Sequence, residues 1–251
     1  MIAVISPAKS LEFETSASYE KSGIPHFQKD ADYLAGKLHK LKSSELGLLL
    51  GISPKLAHLN AERFASWKTA PVKQAIFAYN SDVYNGLEAK TLSPDEIEFA
   101  ENHFRILSGL YGLLHPLDTI KPYRIDMGTS FSTPKGENLY KYWGDRITDQ
   151  LKKSMKESEN NILINLASQE YFSAINKTKL KARIITPAFK DKSNGSYTMI
   201  SFFAKRARGM MSRFIIQNSI TDFEMLVGFD SGGYHFNHEL SIGDNWVFTR
   251  G

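Results

Sequence analysis

Lys205, Arg206, Arg208 and Arg213 fall within nine residues of the segment "AKRARGMMSRF", and no acid lies among them. At about 100° per residue, a helix would spread the four cations over roughly 160° of its surface. Gly209 and Ser212 fall inside the same arc, while Phe203, Ala207, Met210, Met211 and Phe214 face the other way. Gly inside a helix costs about 1 kcal/mol relative to Ala, and small residues among cations let a phosphate backbone approach. A plain solvated helix is the alternative. Such helices usually interleave Glu with Lys or Arg, and this one does not.

Lys9 follows a short β-branched run in "IAVISPAKS", on a loop of the kind that presents functional groups. It could ligate a phosphate or act as an amine nucleophile, or simply be a solvated lysine. Asp82 in "YNSDVYNGLEAK" and Glu170 in "NLASQEYF" could carry protons beside it. Ser168 with Glu170 could equally open a helix.

The stretch "RILSGLYGLLHPLDTIKPYR" is apolar yet heavily punctuated. Ser108, Gly109, Tyr111 and Gly112 predict a tight turn with exposed amides. Helix–hairpin–helix modules grip DNA phosphates with such a turn, often of Leu-Pro-Gly-apolar-Gly pattern. Here Ser108 replaces the Pro, Tyr111 is an extra residue, and Pro116 leaves little room for a second helix. A buried turn carrying core leucines is the other reading. Next, "KPYR" groups Lys121, Tyr123 and Arg124, two cations and an aromatic that could hold a phosphate and stack a base. Otherwise it is a loop with a half-buried tyrosine.

These groups need a scaffold. The 251 residues, 42% hydrophobic and 23% charged, suit a soluble globular chain with a sizeable core. The net charge of +4 is mild, so its placement matters more than its size. With no cysteine, disulfides and thiol-ligated metals are excluded. No apolar run approaches the roughly 20 residues of a membrane span, and the start lacks a secretion signal, so the cytoplasm is expected. There is no HExxH, Walker A loop or GxGxxG, and His235 and His238 are three apart in an extended segment. No metal or cofactor is expected.

"IAVIS", "QAIFAY", "NILINLAS", "ARIITPAF", "YTMISFF", "MLVGF" and "NWVFTR" read as strands. "KDADYLAGKLHKL", "SPKLAHLNAERFASW" and the basic segment read as helices. "SPDEIEFAENHFRILSG" carries the clearest helix start, Ser93 as cap, Pro94 first and Glu96 closing a capping box, with Gly109 as its stop. No repeat or linker interrupts the chain. The expectation is α+β (mixed α/β): a single compact domain, residues 1–251, with a mixed sheet, flanking helices and a helix-hairpin-helix-like element over residues 94 to 115.

Taken together, "ISPAK", "SDVYNGL", "RILSGLYGLLHPLD", "KPYRIDMG", "YKYWGD", "NLASQEYF" and "AKRARGMMSRF" resemble the YaaA family of bacterial peroxide-stress proteins, from residue 2 to the C-terminus. The resemblance implies a cytosolic protein of the hydrogen peroxide response that limits free iron and oxidative DNA damage. It also implies one mixed α/β domain with a basic cleft, a helix–hairpin–helix-like element and DNA binding. The expected partner is DNA, single- or double-stranded, bound through its phosphates with little sequence readout. The alternative is an enzyme acting on a nucleotide, base or abasic site, with Lys9 as nucleophile or phosphate ligand and Asp82 or Glu170 as proton carrier.

Overall fold

The computed structural model describes residues 1–15, 19–158 and 160–251. The chain opens with β1 (Ile2–Ile5) and β2 (Ser10–Leu11), then α1 (Gln28–Leu38), α2 (Ser43–Leu50) and α3 (Pro54–Ala65). Short elements follow: β3 (Lys73–Gln74), α4 (Ala75–Ala78), β4 (Tyr79–Asn80) and α5 (Asp82–Leu87). Next come α6 (Pro94–His103), β5 (Phe104–Ser108), β6 (Gly112–Leu114) and β7 (Thr119–Ile120). Beyond them are α7 (Leu139–Trp143), α8 (Arg146–Glu157), β8 (Ile162–Leu166), α9 (Gln169–Phe172) and α10 (Lys177–Leu180). The last part holds β9 (Arg183–Ser193), β10 (Ser196–Thr198), α11 (Ser201–Gln217), β11 (His235–Phe236) and β12 (Asn245–Arg250).

Eight strands form one mixed sheet in the order β11-β12-β9-β8-β1-β5-β6, with β10 added to β9. The inner pairs β5–β1, β1–β8, β8–β9 and β9–β12 are parallel, and β6 and β11 pair antiparallel at the edges. The buried β1 and β5 read as continuous apolar runs because a parallel strand is covered on both faces. The expected mixed α/β domain is therefore present. β1 lies between β5, the next long strand in sequence, and β8, which comes later. The chain leaves the carboxyl end of β1 toward β5 and that of β8 toward β9, in opposite directions, and open α/β sheets form their ligand crevices at such a point. No helix of the described residues is long and apolar enough to cross a membrane.

α6 starts as the sequence predicts. Ser93 Oγ accepts from Glu96 N at 3.3 Å, and Glu96 Oε2 accepts from Ser93 N at 2.6 Å. It ends earlier than predicted, at His103, because "FRILS" is a fully buried strand rather than a last helical turn. Residues 94 to 115 are thus a helix followed by the β5–β6 hairpin, and not the helix-hairpin-helix-like element expected there. "QAIFAY" is a single helical turn, α4, between two short strands. "YTMISFF" splits into the end of β10 and the start of α11, and "MLVGF" lies in a 3-10 turn, Phe223–Gly228.

Candidate functional site

The loops leaving β1 and β8 are tied together at the carboxyl end of the sheet. Ser168 N donates to Ser6 Oγ at 2.8 Å. Ser168 also serves as the N-cap residue of α9, which directs Glu170 from the first turn. Beyond β5, Gly109 lies against the backbone of Ile125 and Asp126, where a Cβ would stand 2.7 Å from the Ile125 carbonyl oxygen. That close approach sets the position of Asp126 beside the β1 loop.

A cavity of about 420 Å³ opens among these loops. Lys9, Asp82, Asp126, Glu170, Lys205 and Arg208 all line it. Lys9 Nζ lies 3.0 Å from Asp126 Oδ2. Tyr171 donates from its hydroxyl to Asp126 Oδ1 at 3.1 Å. Burial and the adjacent Asp126 charge hold the Tyr171 phenol well above its ordinary pKa, so it stays a donor. Glu170 Oε1 accepts from Gly128 N at 2.9 Å, which fixes that carboxylate on the Asp126 loop. Asp82 sits in the first turn of α5. Of the residues that the sequence singles out, Lys9, Asp82, Glu170, Lys205 and Arg208 line this one cavity, and Asp126, which also lines it, was not among them. The signal was present in "KPYRIDMG", two residues past Arg124, in a segment read only for its cations.

α11 meets α5 at two glycines. A Cβ on Gly86 would collide with the Arg206 carbonyl oxygen, and one on Gly209 with that of Val83. Gly209 and Ser212 are buried, and Ser212 Oγ donates to Arg208 O at 2.9 Å. The small residues among the cations therefore admit a helix rather than a phosphate backbone. This contact also divides the cations. Lys205 and Arg208 line the Lys9 cavity, whereas Arg206 and Arg213 line a separate hollow of about 210 Å³ with Glu88. Arg213 Nη1 donates to Leu87 O and Thr91 Oγ1 and lies 3.8 Å from Glu88 Oε2, so it is engaged in structure. Arg208 forms no ion pair among the described residues, and burial lowers its pKa by penalising its charge. A half-buried guanidinium of that kind favours an anion.

The glycine turn is not a surface grip. Ser108 and Tyr111 are fully buried, and Gly109 and Gly112 are buried with them. Ser108 Oγ accepts from Leu110 N and Tyr111 N and shares a 2.7 Å hydrogen bond with Tyr123 OH. Gly112 has φ +70° and packs on Trp143, so it needs glycine for both reasons. Tyr123 is buried and unable to stack a base. Lys121 Nζ donates to Trp67 O at 2.6 Å, outside the cavity. Arg124 is half-buried outside the cavity lining, its Nε enclosed without a partner among the described residues.

The exposed turn expected at 109–112 exists elsewhere, between α2 and α3. Gly51 takes the left-handed conformation (φ +61°), and Ile52 N donates back to Gly47 O at 3.1 Å, closing α2 with a Schellman bond. Ser53 caps α3 and Pro54 begins it, as predicted. The sequence there, "LLGIS", follows the Leu-Pro-Gly-apolar-Gly pattern at three positions, with Leu50 for Pro and Ser53 for the last Gly. Gly51, Ser53, Pro54 and Lys55 are all exposed.

The sequence profile of the family described as "Peroxide stress protein YaaA" matches residues 1–240. A "UPF0246 protein" of Colwellia psychrerythraea is 48% identical over 254 residues, covering 100% of this chain and 99% of the relative. A second, from Paraburkholderia phytofirmans, is 48% identical over 256 residues and covers 100% and 98%. A third, from Neisseria meningitidis serogroup A, is 47% identical over 254 residues with the same coverage. With the profile spanning nearly the whole chain and relatives aligned end to end, this protein belongs to the YaaA family of peroxide stress proteins.

Proposed function

We propose that this peroxide stress protein acts on DNA as an enzyme whose Lys9 amine attacks a carbonyl carbon, such as that of an opened abasic sugar. Asp126 takes the proton from the Lys9 ammonium. The free amine adds to the aldehyde, and loss of water leaves an imine between Lys9 and the sugar. Asp82 or Glu170 carries the further proton transfers. Lys205 and Arg208 hold a phosphate flanking the sugar. The observation that carries this reading is the convergence of Lys9, Asp126, Glu170, Asp82, Lys205 and Arg208 on one cavity at the carboxyl end of the sheet.

Borohydride added during incubation with an abasic-site oligonucleotide reduces such an imine to a stable adduct. The expected result is a covalent protein–DNA species in the native protein and none in Lys9→Ala. An adduct that persists in Lys9→Ala overturns the assignment.

A second reading, DNA binding without turnover, is favoured by the exposed α2–α3 turn, whose Gly-Ile-Ser tip and Lys55 suit a phosphate backbone. It predicts salt-dependent binding that Lys55→Glu weakens while Lys9→Ala does not. On either reading the protein works in the cytoplasm, and its limitation of free iron and oxidative DNA damage follows indirectly from its action on DNA.

A further inference from the structure

A second hollow, of about 390 Å³, adjoins the Lys9 cavity, and Asn80 lines both. Phe77, Tyr79, Tyr84 and Ala89 give it buried, largely apolar walls. The two tyrosine rings lie 5.3 Å apart. Their hydroxyls are committed elsewhere, Tyr84 OH donating to Ser6 O at 3.1 Å and Tyr79 OH sharing a 2.7 Å hydrogen bond with Tyr123 OH. What these residues offer the hollow is ring surface.

The charged groups around it are already paired. Glu12 Oε2 accepts from Lys73 Nζ at 2.6 Å and from Lys90 Nζ at 3.2 Å, and Glu12 Oε1 accepts from Thr15 N at 2.7 Å. Glu88 Oε2 lies 3.8 Å from Arg213 Nη1. Two uncharged groups remain. The side-chain amides of Asn80 and Asn85 line the hollow, are exposed, and bond to nothing among the described residues. Aromatic walls, paired charges and two free amides do not suit a phosphate. They suit a flat, neutral ring with donors and acceptors along its edge, as in a nucleobase. A carboxamide presents N–H and C=O side by side, and adenine answers it with N7 and N6–H.

The two hollows are also held in register. Asp82 of the Lys9 cavity and Asn85 of the second hollow both lie on α5. The close contacts at Gly86 and Gly209 lock α5 onto α11, which carries Lys205 and Arg208.

We propose that the second hollow captures the nucleobase next to the sugar held at Lys9, adenine by preference. Asn80 and Asn85 bond its edge, and Tyr79 and Tyr84 contact its face. Unstacking costs least where the duplex is already damaged, and a base beside an abasic gap has lost one stacking partner. The capture rests on the reading of the Lys9 cavity as a site for a DNA sugar, and not on the imine. It adds recognition of a neighbouring base, which phosphate contacts cannot supply.

Fluorescence anisotropy with two oligonucleotides tests this. Both carry a tetrahydrofuran ring in place of the abasic sugar. That ring has no aldehyde, so the readout does not involve imine formation. One has adenine next to the ring, on the 5′ and the 3′ side in turn, and the other has a second tetrahydrofuran at that place. The native protein should bind the adenine oligonucleotide at least about fivefold more tightly on one of the two sides. The double variant Asn80→Ala/Asn85→Ala should bind both with the weaker affinity. Its melting temperature checks that it is folded; should it not fold, Asn85→Ala alone decides. Equal affinities in the native protein, a preference that the variant keeps, or no binding of either oligonucleotide overturns the proposal. A preference found together with borohydride trapping that persists in Lys9→Ala would sink the lysine chemistry and leave the base site standing.

Discussion

The Lys9 ammonium and the Asp126 carboxylate, from loops far apart in sequence, meet at 3.0 Å, and Tyr171 fixes the other carboxylate oxygen at 3.1 Å. Asp126 is therefore held in place before any substrate arrives, with one oxygen committed to Tyr171 and the other turned to the amine. Pre-positioning of this kind is what proton transfer in a transition state requires.

Asp126→Asn keeps the shape and the Tyr171 hydrogen bond but removes the proton acceptor. The rate of borohydride trapping should fall by about 10²-fold or more, the usual worth of a positioned base. Oligonucleotide affinity, measured by anisotropy, should change little.

The division of α11 by α5 makes a distinct forecast about charge. If Lys205 and Arg208 each neutralise a phosphate, replacing both with Ala should reduce the slope of log affinity against log salt by about 2. Replacing Arg206 and Arg213 should leave that slope unchanged, since these two line the other hollow. Titrations at several salt concentrations give both slopes.

Gly209→Ala should be more harmful than a glycine-to-alanine change in an open helix, where Ala is the better helix former. The new Cβ would collide with the Val83 carbonyl oxygen. Forcing the helices apart should cost about 1–3 kcal/mol and shift α5, and with it Asp82, lowering both the melting temperature and the trapping yield. Gly36→Ala, with open space around its Cβ position, is the matched control in a helix interior.

Asp118 supplies a pH signature. It is buried, and burial together with the nearby Glu101 carboxylate raises its pKa to about 6, against the opposing hydrogen bond from His115 N. The folded state then binds this proton more tightly than the unfolded chain does, where the value is about 3.9. Its contribution to stability must fall as pH rises between those two values and stay low above them. Asp118→Asn should therefore raise the melting temperature above the native value at neutral pH. That gain should shrink to nothing in acid below the unfolded-state pKa.

Much of the scaffold was legible because local signals agreed with tertiary ones. Ser53-Pro54 and Ser93-Pro94 marked two helix starts, and the β-branched runs at 2–5 and 162–166 marked the central parallel strands. "FRILS" misled because a short apolar run continues a helical pattern as readily as it forms a covered strand. Arg105 within it is buried and bonded to Ser154 Oγ, Glu101 O and Phe104 O, satisfaction that only the folded chain displays. The basic segment was recognised as a helix, yet its glycine was assigned to a ligand when it belongs to α5. Sequence spacing shows that a gap exists and not what fills it. Asp126 escaped for a related reason: its partner Lys9 lies on another loop, and the geometry joining them arises at Gly109.

The account stands or falls on which amine is modified. Peptide mapping of the borohydride-reduced adduct with an abasic oligonucleotide answers this directly. The competing amines are Lys205 in the same cavity and the Met1 α-amine, whose pKa burial lowers. The account predicts that the reduced sugar is attached to Nζ of Lys9. Attachment at Met1, at Lys205, or spread over surface lysines would contradict it.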